Sequence, residues 1–253
     1  MKDKESSDAF IGKHYNAEEF DKRLSLSEEL FETPIPRDEL MNNIAVYLDR
    51  RTLSRFLFIN ELYQYILEIH GSIFEFGVRY GQNISLLTSL RGIYEPYNYN
   101  RRIVGFDTWE GFPKVSAEDD SKTWEKGDFS VPKNYEIYLD KIISQHEAIA
   151  PIENIKKFEL IKGDATKTID TYLKEHPETI ISFAYFDFDL YEPTKHCLNA
   201  ILPYLSKGAV IAFDEINVKE WPGETQAFRE VFGNKFKVCH SKFRANAGYI
   251  IYD

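Results

Sequence analysis

Between residues 72 and 232 the apolar residues change period again and again, short unbroken runs giving way to stretches with the three-to-four spacing of amphipathic helices. The runs fall at residues 72–78 (SIFEFGV), 103–107, 158–162, 181–190 and 209–213, and the helical stretches at 82–94, 135–148, 166–175, 194–205 and 225–232. Strands that are apolar throughout must be covered on both sides, so this alternation predicts a mostly parallel sheet with helices on both faces. The expected fold is a doubly wound α/β domain. Its last segment breaks the pattern: residues 237–241 and 249–252 read as strands joined by the polar loop KFRANAG, with no room for a helix. The sheet should therefore end in an antiparallel hairpin.

Ahead of the sheet, residues 1–40 are polar and charged, with a break at Thr33-Pro34-Ile35-Pro36, and read as an arm able to serve as a lid. Residues 41–71 carry helical spacing (Ile44, Tyr47, Leu48, Leu57, Ile59, Leu62, Ile66) that Gly71 stops, and suit substrate or homo-oligomer contacts. Residues 72–253 form the α/β domain. Forty-one acidic against 31 basic side chains leave a net charge of -10, which disfavours a nucleic-acid partner. No apolar run is long enough to span a bilayer and residues 1–13 lack the apolar core of a signal peptide, so a cytoplasmic protein without a membrane partner is expected. Cys197 and Cys239 lack metal or redox spacing and read as reduced thiols.

In a doubly wound sheet the ligand sits beyond the carboxyl ends of the strands. The first end carries Glu75-Phe76-Gly77-Val78-Arg79-Tyr80-Gly81, an E-x-G-x-x-x-G spacing. Gly77 would let the backbone approach a ligand, Gly81 would allow close packing into the helix, and the following amides would face an anionic group; a plain glycine turn is the simpler alternative. The second end, Phe106-Asp107-Thr108, places an acid where ribose hydroxyls are held, although its distance from Glu75 exceeds the usual interval of about 20 residues. The third, Gly163-Asp164, offers either a ligand to an adenine amine or an ordinary helix N-cap.

The fourth and fifth ends are acidic. Asp187 and Asp189, two apart in an extended run, would share one face, and Asp214-Glu215 ends the next strand. Such a cluster suits Mg²⁺ or Mn²⁺; the alternative is that these acids cap helices or pair with Lys195, Lys219 and Arg244. His196 reads as a surface or core histidine, and His240, in a late strand near the ligand edge, as a candidate proton acceptor. Trp109-Glu110-Gly111-Phe112-Pro113 either walls a ligand pocket or anchors a loop. The chain lacks a P-loop spacing and a Ser-His-Asp arrangement.

Taken together, the E-x-G-x-x-x-G run, Asp107, Gly163-Asp164 and the terminal hairpin resemble a class I S-adenosylmethionine-dependent methyltransferase, whose fold is Rossmann-like. Three segments sharpen this: Gly105-Phe106-Asp107-Thr108-Trp109-Glu110-Gly111-Phe112-Pro113, Asp187-Phe188-Asp189-Leu190-Tyr191-Glu192-Pro193-Thr194 and Phe213-Asp214-Glu215. They look like the macrocin O-methyltransferase family, whose members methylate sugar hydroxyls, and the resemblance covers about residues 72 to 233. It implies a Mg²⁺-dependent sugar O-methyltransferase on a seven-stranded sheet, with an N-terminal helical segment over the substrate.

Carried over by position, the resemblance implies metal ligands at Asp187, Asp214 and Glu215, although the family usually has a second Asp at the last and commonly Gly at Phe188. It places the methionine, ribose and adenine portions of the cofactor on Glu75, Gly77, Gly81, Asp107, Thr108, Gly163 and Asp164. Metal coordination would lower the pKa of the sugar hydroxyl while Asp187 or Asp189 accepts its proton. Tyr47, Arg50, Arg51, Trp109 and Tyr191 are the substrate candidates, and the substrate implied is a nucleotide-activated deoxyhexose or heptose bound for a surface glycan or glycosylated metabolite. Two other readings stay open: a nicotinamide-dependent oxidoreductase, which would need a tighter G-x-G-x-x-G turn, and a non-catalytic binding module on this scaffold.

Overall fold

Strands β1 (Ser72–Phe76), β2 (Ile103–Asp107), β3 (Phe158–Lys162), β4 (Ile181–Phe186), β5 (Leu205–Phe213), β6 (Cys239–His240) and β7 (Gly248–Tyr252) hydrogen-bond in the order β3-β2-β1-β4-β5-β7-β6. The coordinates are a computed structural model that describes residues 17–119 and 124–253. The first five strands are parallel and the last two antiparallel, as the loss of alternation after residue 232 requires. The order reverses between β1 and β4, so the crevice of a doubly wound sheet opens beyond the carboxyl ends of these two strands.

Helices α1 (Ala17–Phe31), α2 (Arg50–Tyr65), α3 (Gln82–Tyr94), α4 (Tyr135–Ala148), α5 (Ala165–Glu175), α6 (Tyr191–Ile201) and α7 (Pro222–Phe232) accompany the strands. Adjacent strand residues face opposite layers. Ile73, Ile103, Phe183, Tyr185 and Val210 pack with Phe58, Ile59, Leu62 and Leu87, while Phe74, Phe76, Phe186, Ile211 and Phe213 pack with Ile169, Leu198 and Phe228. Phe76 stacks on both Phe106 and Phe186, with ring centroids 5.1 and 4.7 Å away, tying three parallel strands just below their carboxyl ends. At the opposite edge, buried Arg101 donates to the carbonyls of Ile66, Ile69 and Gly71, to Ser182 Oγ and to the Glu95 carboxylate. These bonds satisfy chain-entry carbonyls that would otherwise be buried without partners.

The chain divides into two compact units, Met1–Arg55 and Phe56–Asp253. In the N-terminal unit, the segment read from sequence as an arm contains α1, and a 3-10 helix spans Met41–Tyr47. Arg23 pairs with Asp49 at 2.6 Å, and the Tyr47 hydroxyl hydrogen-bonds Thr33 Oγ1 at 2.5 Å. Among the described residues, no helix is long and apolar enough to cross a membrane.

Several sequence boundaries require correction. The strand read as 181–190 stops at Phe186, and α6 begins at Tyr191 rather than 194. Residues 187–190 make the turn between them, and Asp189 has a left-handed φ of 61°. Pro203 closes α6 in a 3-10 turn, so β5 begins at Leu205. The late strand read as 237–241 retains only two paired residues.

Candidate active site

The turn after β1 is shaped by two glycines with φ of 91° and 83°. A Cβ on Gly77 would overlap the carbonyl oxygen of Asp187, so the close approach of the turn after β4 by itself requires glycine here. A Cβ on Gly81 would meet the Leu139 side chain of α4, consistent with close helix packing. Gly81 is also the N-cap of α3 and supplies no side-chain acceptor, which leaves first-turn amides of α3 without a side-chain cap.

Asp107 binds the first two turns together. Its Oδ2 accepts the Arg79 N–H at 2.7 Å and its Oδ1 the Trp109 N–H at 2.6 Å, while its main-chain carbonyl accepts from Gly163 at 2.9 Å. Burial pushes the Asp107 carboxyl up, and the N–H groups of Arg79, Trp109 and Val78 and the Arg79 charge oppose that rise. With three N–H groups on its two oxygens, the carboxylate has one lone pair left for a ligand hydroxyl. Thr108 Oγ1 donates to Gly111 O and accepts from Glu110 N, closing the turn. Trp109 is buried and its Nε1 donates to Arg79 O at 2.9 Å, the loop-anchor alternative. Asp164 caps α5 by accepting from the Thr166 N–H and hydroxyl, and Gly163, with φ of 141°, precedes it. Glu75 is buried within β1, in register with Gly105 and Tyr185.

The acids beyond β4 and β5 come together. Burial, followed by the charges of Asp187, Glu215 and Asp214, pushes Asp189 well above the usual carboxylate range. The left-handed turn sets Asp187 and Asp189 beyond the strand, so their proximity is not the one-face alternation expected from sequence. Asp214 accepts from the buried Tyr185 hydroxyl on Oδ1 and from Arg244 Nη2 on Oδ2. Arg244, in the β6–β7 loop, thus forms one of the pairs read as an alternative to ligand binding. Lys195 instead pairs with Glu230 at 2.6 Å.

Two more residues complete this region, and sequence reasoning passed over both. Glu224, in the first turn of α7, is wholly buried and accepts the N–H groups of Phe188, Asp189 and Glu215. Asp119 accepts from Ser116 N–H and hydroxyl and from Tyr191 N–H at 2.8 Å, docking the β2–α4 loop on the start of α6. Above it, Phe112, Trp124, Leu190 and Trp221 form a separate apolar cluster, with Trp124 stacked on Trp221 at 4.2 Å. A signal for Glu224 existed in its position two residues after Pro222, where helix-start acids concentrate.

The remaining candidates make other contacts. His240 is exposed in the outermost strand, its Nδ1 2.6 Å from Ser241 O. The Tyr191 hydroxyl donates to Glu230 and accepts from Lys195, so it is spent between α6 and α7. Tyr47, Arg50 and Arg51 belong to the N-terminal unit, where the Arg51 N–H bonds Asp49 Oδ1 at the start of α2.

The family model described as a methyltransferase domain matches residues 74–216. The solved structure of CalS11, a calicheamicin methyltransferase, is 41% identical, with 94% of each chain covered and a TM-score of 0.91. The chain belongs to this methyltransferase family. The apo structure of CalS11, described as a TDP-rhamnose 3'-O-methyltransferase of calicheamicin biosynthesis, is 38% identical over 94% of this chain and 96% of that one, with a TM-score of 0.84. The O-methyltransferase NovP, at 16% identity over 79% of both chains and a TM-score of 0.64, shares the fold. No curated protein sequence matches.

As a class I S-adenosylmethionine-dependent O-methyltransferase, the enzyme has a cofactor edge that fits its ligand. The α3 N-terminus has no side-chain cap, Gly77, Arg79 and Gly81 have positive φ, Asp107 ends β2 and Asp164 follows β3. The family match sets aside the nicotinamide and non-catalytic readings. The metal fares differently. Asp187, Asp214 and Glu215 are hard oxygen donors, but no three His, Cys, Asp or Glu side chains among the described residues are arranged to hold a metal, and Asp214 is bonded by Tyr185 and Arg244. As arranged, these side chains do not fit Mg²⁺ or Mn²⁺.

Proposed function

We propose that this methyltransferase transfers a methyl group to a hydroxyl of a nucleotide-activated sugar of the deoxyhexose or heptose class. The observation that carries this is the 38% identity over 94% of the chain with a protein described as a TDP-rhamnose 3'-O-methyltransferase. A sugar hydroxyl is a poor nucleophile at neutral pH and must lose its proton as the new bond forms. Bound S-adenosylmethionine supplies a methyl group activated on a sulfonium. Methyl transfer to the sugar oxygen would break the carbon–sulfur bond, and the hydroxyl proton would pass to Asp189. Burial and the charges of Asp187, Glu215 and Asp214 hold the Asp189 carboxyl well above the usual range, so it accepts this proton from its ionised form. Alignment of oxygen and methyl contributes up to about 7 to 11 kcal/mol in favourable cases, so the rigidity of the turns bearing Asp107 and Asp189 matters as much as basicity.

The test is turnover with S-adenosylmethionine across TDP-, UDP- and GDP-sugars, following S-adenosylhomocysteine by chromatography and the methylated hydroxyl by NMR. Expected is one equivalent of S-adenosylhomocysteine per methylated nucleotide sugar, with free sugars inert. Micromolar binding of S-adenosylhomocysteine with no turnover across the panel would remove the nucleotide-sugar reading. Metal assistance has donors in Asp187, Asp214 and Glu215, which form no assembled metal site among the described residues. Loss of turnover in EDTA and its return with Mg²⁺ would add the cation.

A further inference from the structure

The acids beyond β4 and β5 sit on two separate turns, and one side chain spans both. Glu224 Oε1 accepts the N–H groups of Phe188 at 3.1 Å and Asp189 at 3.3 Å, and its Oε2 accepts the Glu215 N–H at 3.2 Å. The residue is the third of α7, after Pro222 and Gly223, where a glutamate ordinarily turns back to the N–H of its own N-cap. Here the N-cap Trp221 N–H is taken by Val218 O at 3.3 Å, and the carboxylate reaches across instead.

Three further features make this a built arrangement. Glu224 is 0% exposed; burial and the charges of Asp189, Asp187 and Asp214 push its carboxyl well up, against the Glu215 N–H, and its two oxygens are the acceptors these buried amides have. Asp189 has a φ of 61°, a conformation that costs a non-glycine residue stability and persists only where its surroundings hold it. Its own N–H is among the groups Glu224 holds. A Cβ on Gly223 would fall 2.6 Å from the Tyr191 nitrogen, so the start of α7 is pressed onto the start of α6 where only glycine fits.

We propose that Glu224 is a positioning residue of the methyl transfer, setting the Asp189 turn against the Glu215 turn through their backbones without itself touching substrate. This rests on the sugar-methyltransferase reading for its kinetic consequence but not for its structural one. The cofactor edge is held by Gly77, Gly81 and Asp107, none of which hydrogen-bonds Glu224.

Glu224→Gln preserves size but leaves one oxygen to serve two turns. Turnover is expected to fall about 100-fold, the cost of misplacing a reacting group by about 1 Å, with S-adenosylhomocysteine affinity within twofold of wild type. Glu224→Asp, which keeps both carboxyl oxygens and withdraws them by one methylene, should show the same split in weaker form. Amide hydrogen exchange supplies a readout independent of turnover: residues 188, 189 and 215 should exchange at least about tenfold faster in the glutamine variant while β1 to β3 are unchanged. Wild-type turnover in a variant with unchanged exchange would overturn the proposal. So would a parallel loss of cofactor affinity and exchange protection throughout the sheet, which marks a merely structural residue. If the wild-type enzyme turns over no nucleotide sugar, the functional reading fails, and local exchange at these amides still decides the role of Glu224.

Discussion

The backbone carbonyl of Asp187 lies against Gly77, in the space that any side chain at position 77 would fill. The cofactor turn after β1 and the acidic turn after β4 are therefore in van der Waals contact through their main chains. The contact is made by Asp187, at the start of the acidic turn.

Gly77→Ala would combine a left-handed φ of 91° with overlap of that carbonyl. A loss of about 2 kcal/mol or more in denaturant unfolding is expected, with weakened S-adenosylhomocysteine binding. An unfolding midpoint equal to wild type would show that the turns relax apart without cost.

Asp189→Asn removes the proton acceptor and leaves the shape of the turn. Turnover should drop by about 10²- to 10⁴-fold, the usual contribution of a general base, with cofactor affinity retained. A variant retaining more than a tenth of wild-type turnover would transfer the role to a neighbouring acid, Asp187 first.

Arg244→Ala leaves the Asp214 side chain, only 5% exposed, without its guanidinium partner. Removing one member of such a buried pair costs about 3 kcal/mol. Adding Asp214→Asn should restore part of that loss, and a double-mutant cycle measures the coupling. Strict additivity would mean that the pair contributes no interaction energy.

Acid sensitivity should arise far from the acidic cluster as well. Burial of Glu95 raises its pKa, but hydrogen bonds from Arg101 and Tyr63 and the Arg101 charge outweigh that and hold it below the ordinary value. The unfolded chain then binds the proton first, so the stabilisation is present above the ordinary glutamate value of about 4.3 and is lost as pH falls through the lower folded value. Unfolding free energies of wild type and Glu95→Gln between pH 6 and 3 should converge toward acid, at roughly the range set by these values. Parallel curves would exclude Glu95 as a source of the acid response.

The apolar periodicity from residue 72 onward determined the sheet, its parallel character and its antiparallel end, because strands buried on both faces must be apolar throughout and helices must show one apolar stripe. The same runs placed Asp107, Asp164 and Asp214 at strand ends, where residue type and position sufficed. The turns were harder to read. Asp189 in a left-handed conformation cannot be distinguished by spacing from an extended residue, which is why residues 187–190 read as strand.

What tertiary structure alone decided is which backbone groups the polar side chains serve. Asp107 taking the Arg79 N–H, Arg244 bonding Asp214, and Glu224 joining Phe188 and Asp189 to Glu215 link positions 9 to 36 residues apart, by contacts that depend on how close the loops approach. Local spacing encodes which face of an element is buried. Partners across a crevice are chosen by the need to satisfy every buried donor and acceptor at once, and that need exists only after the chain has folded.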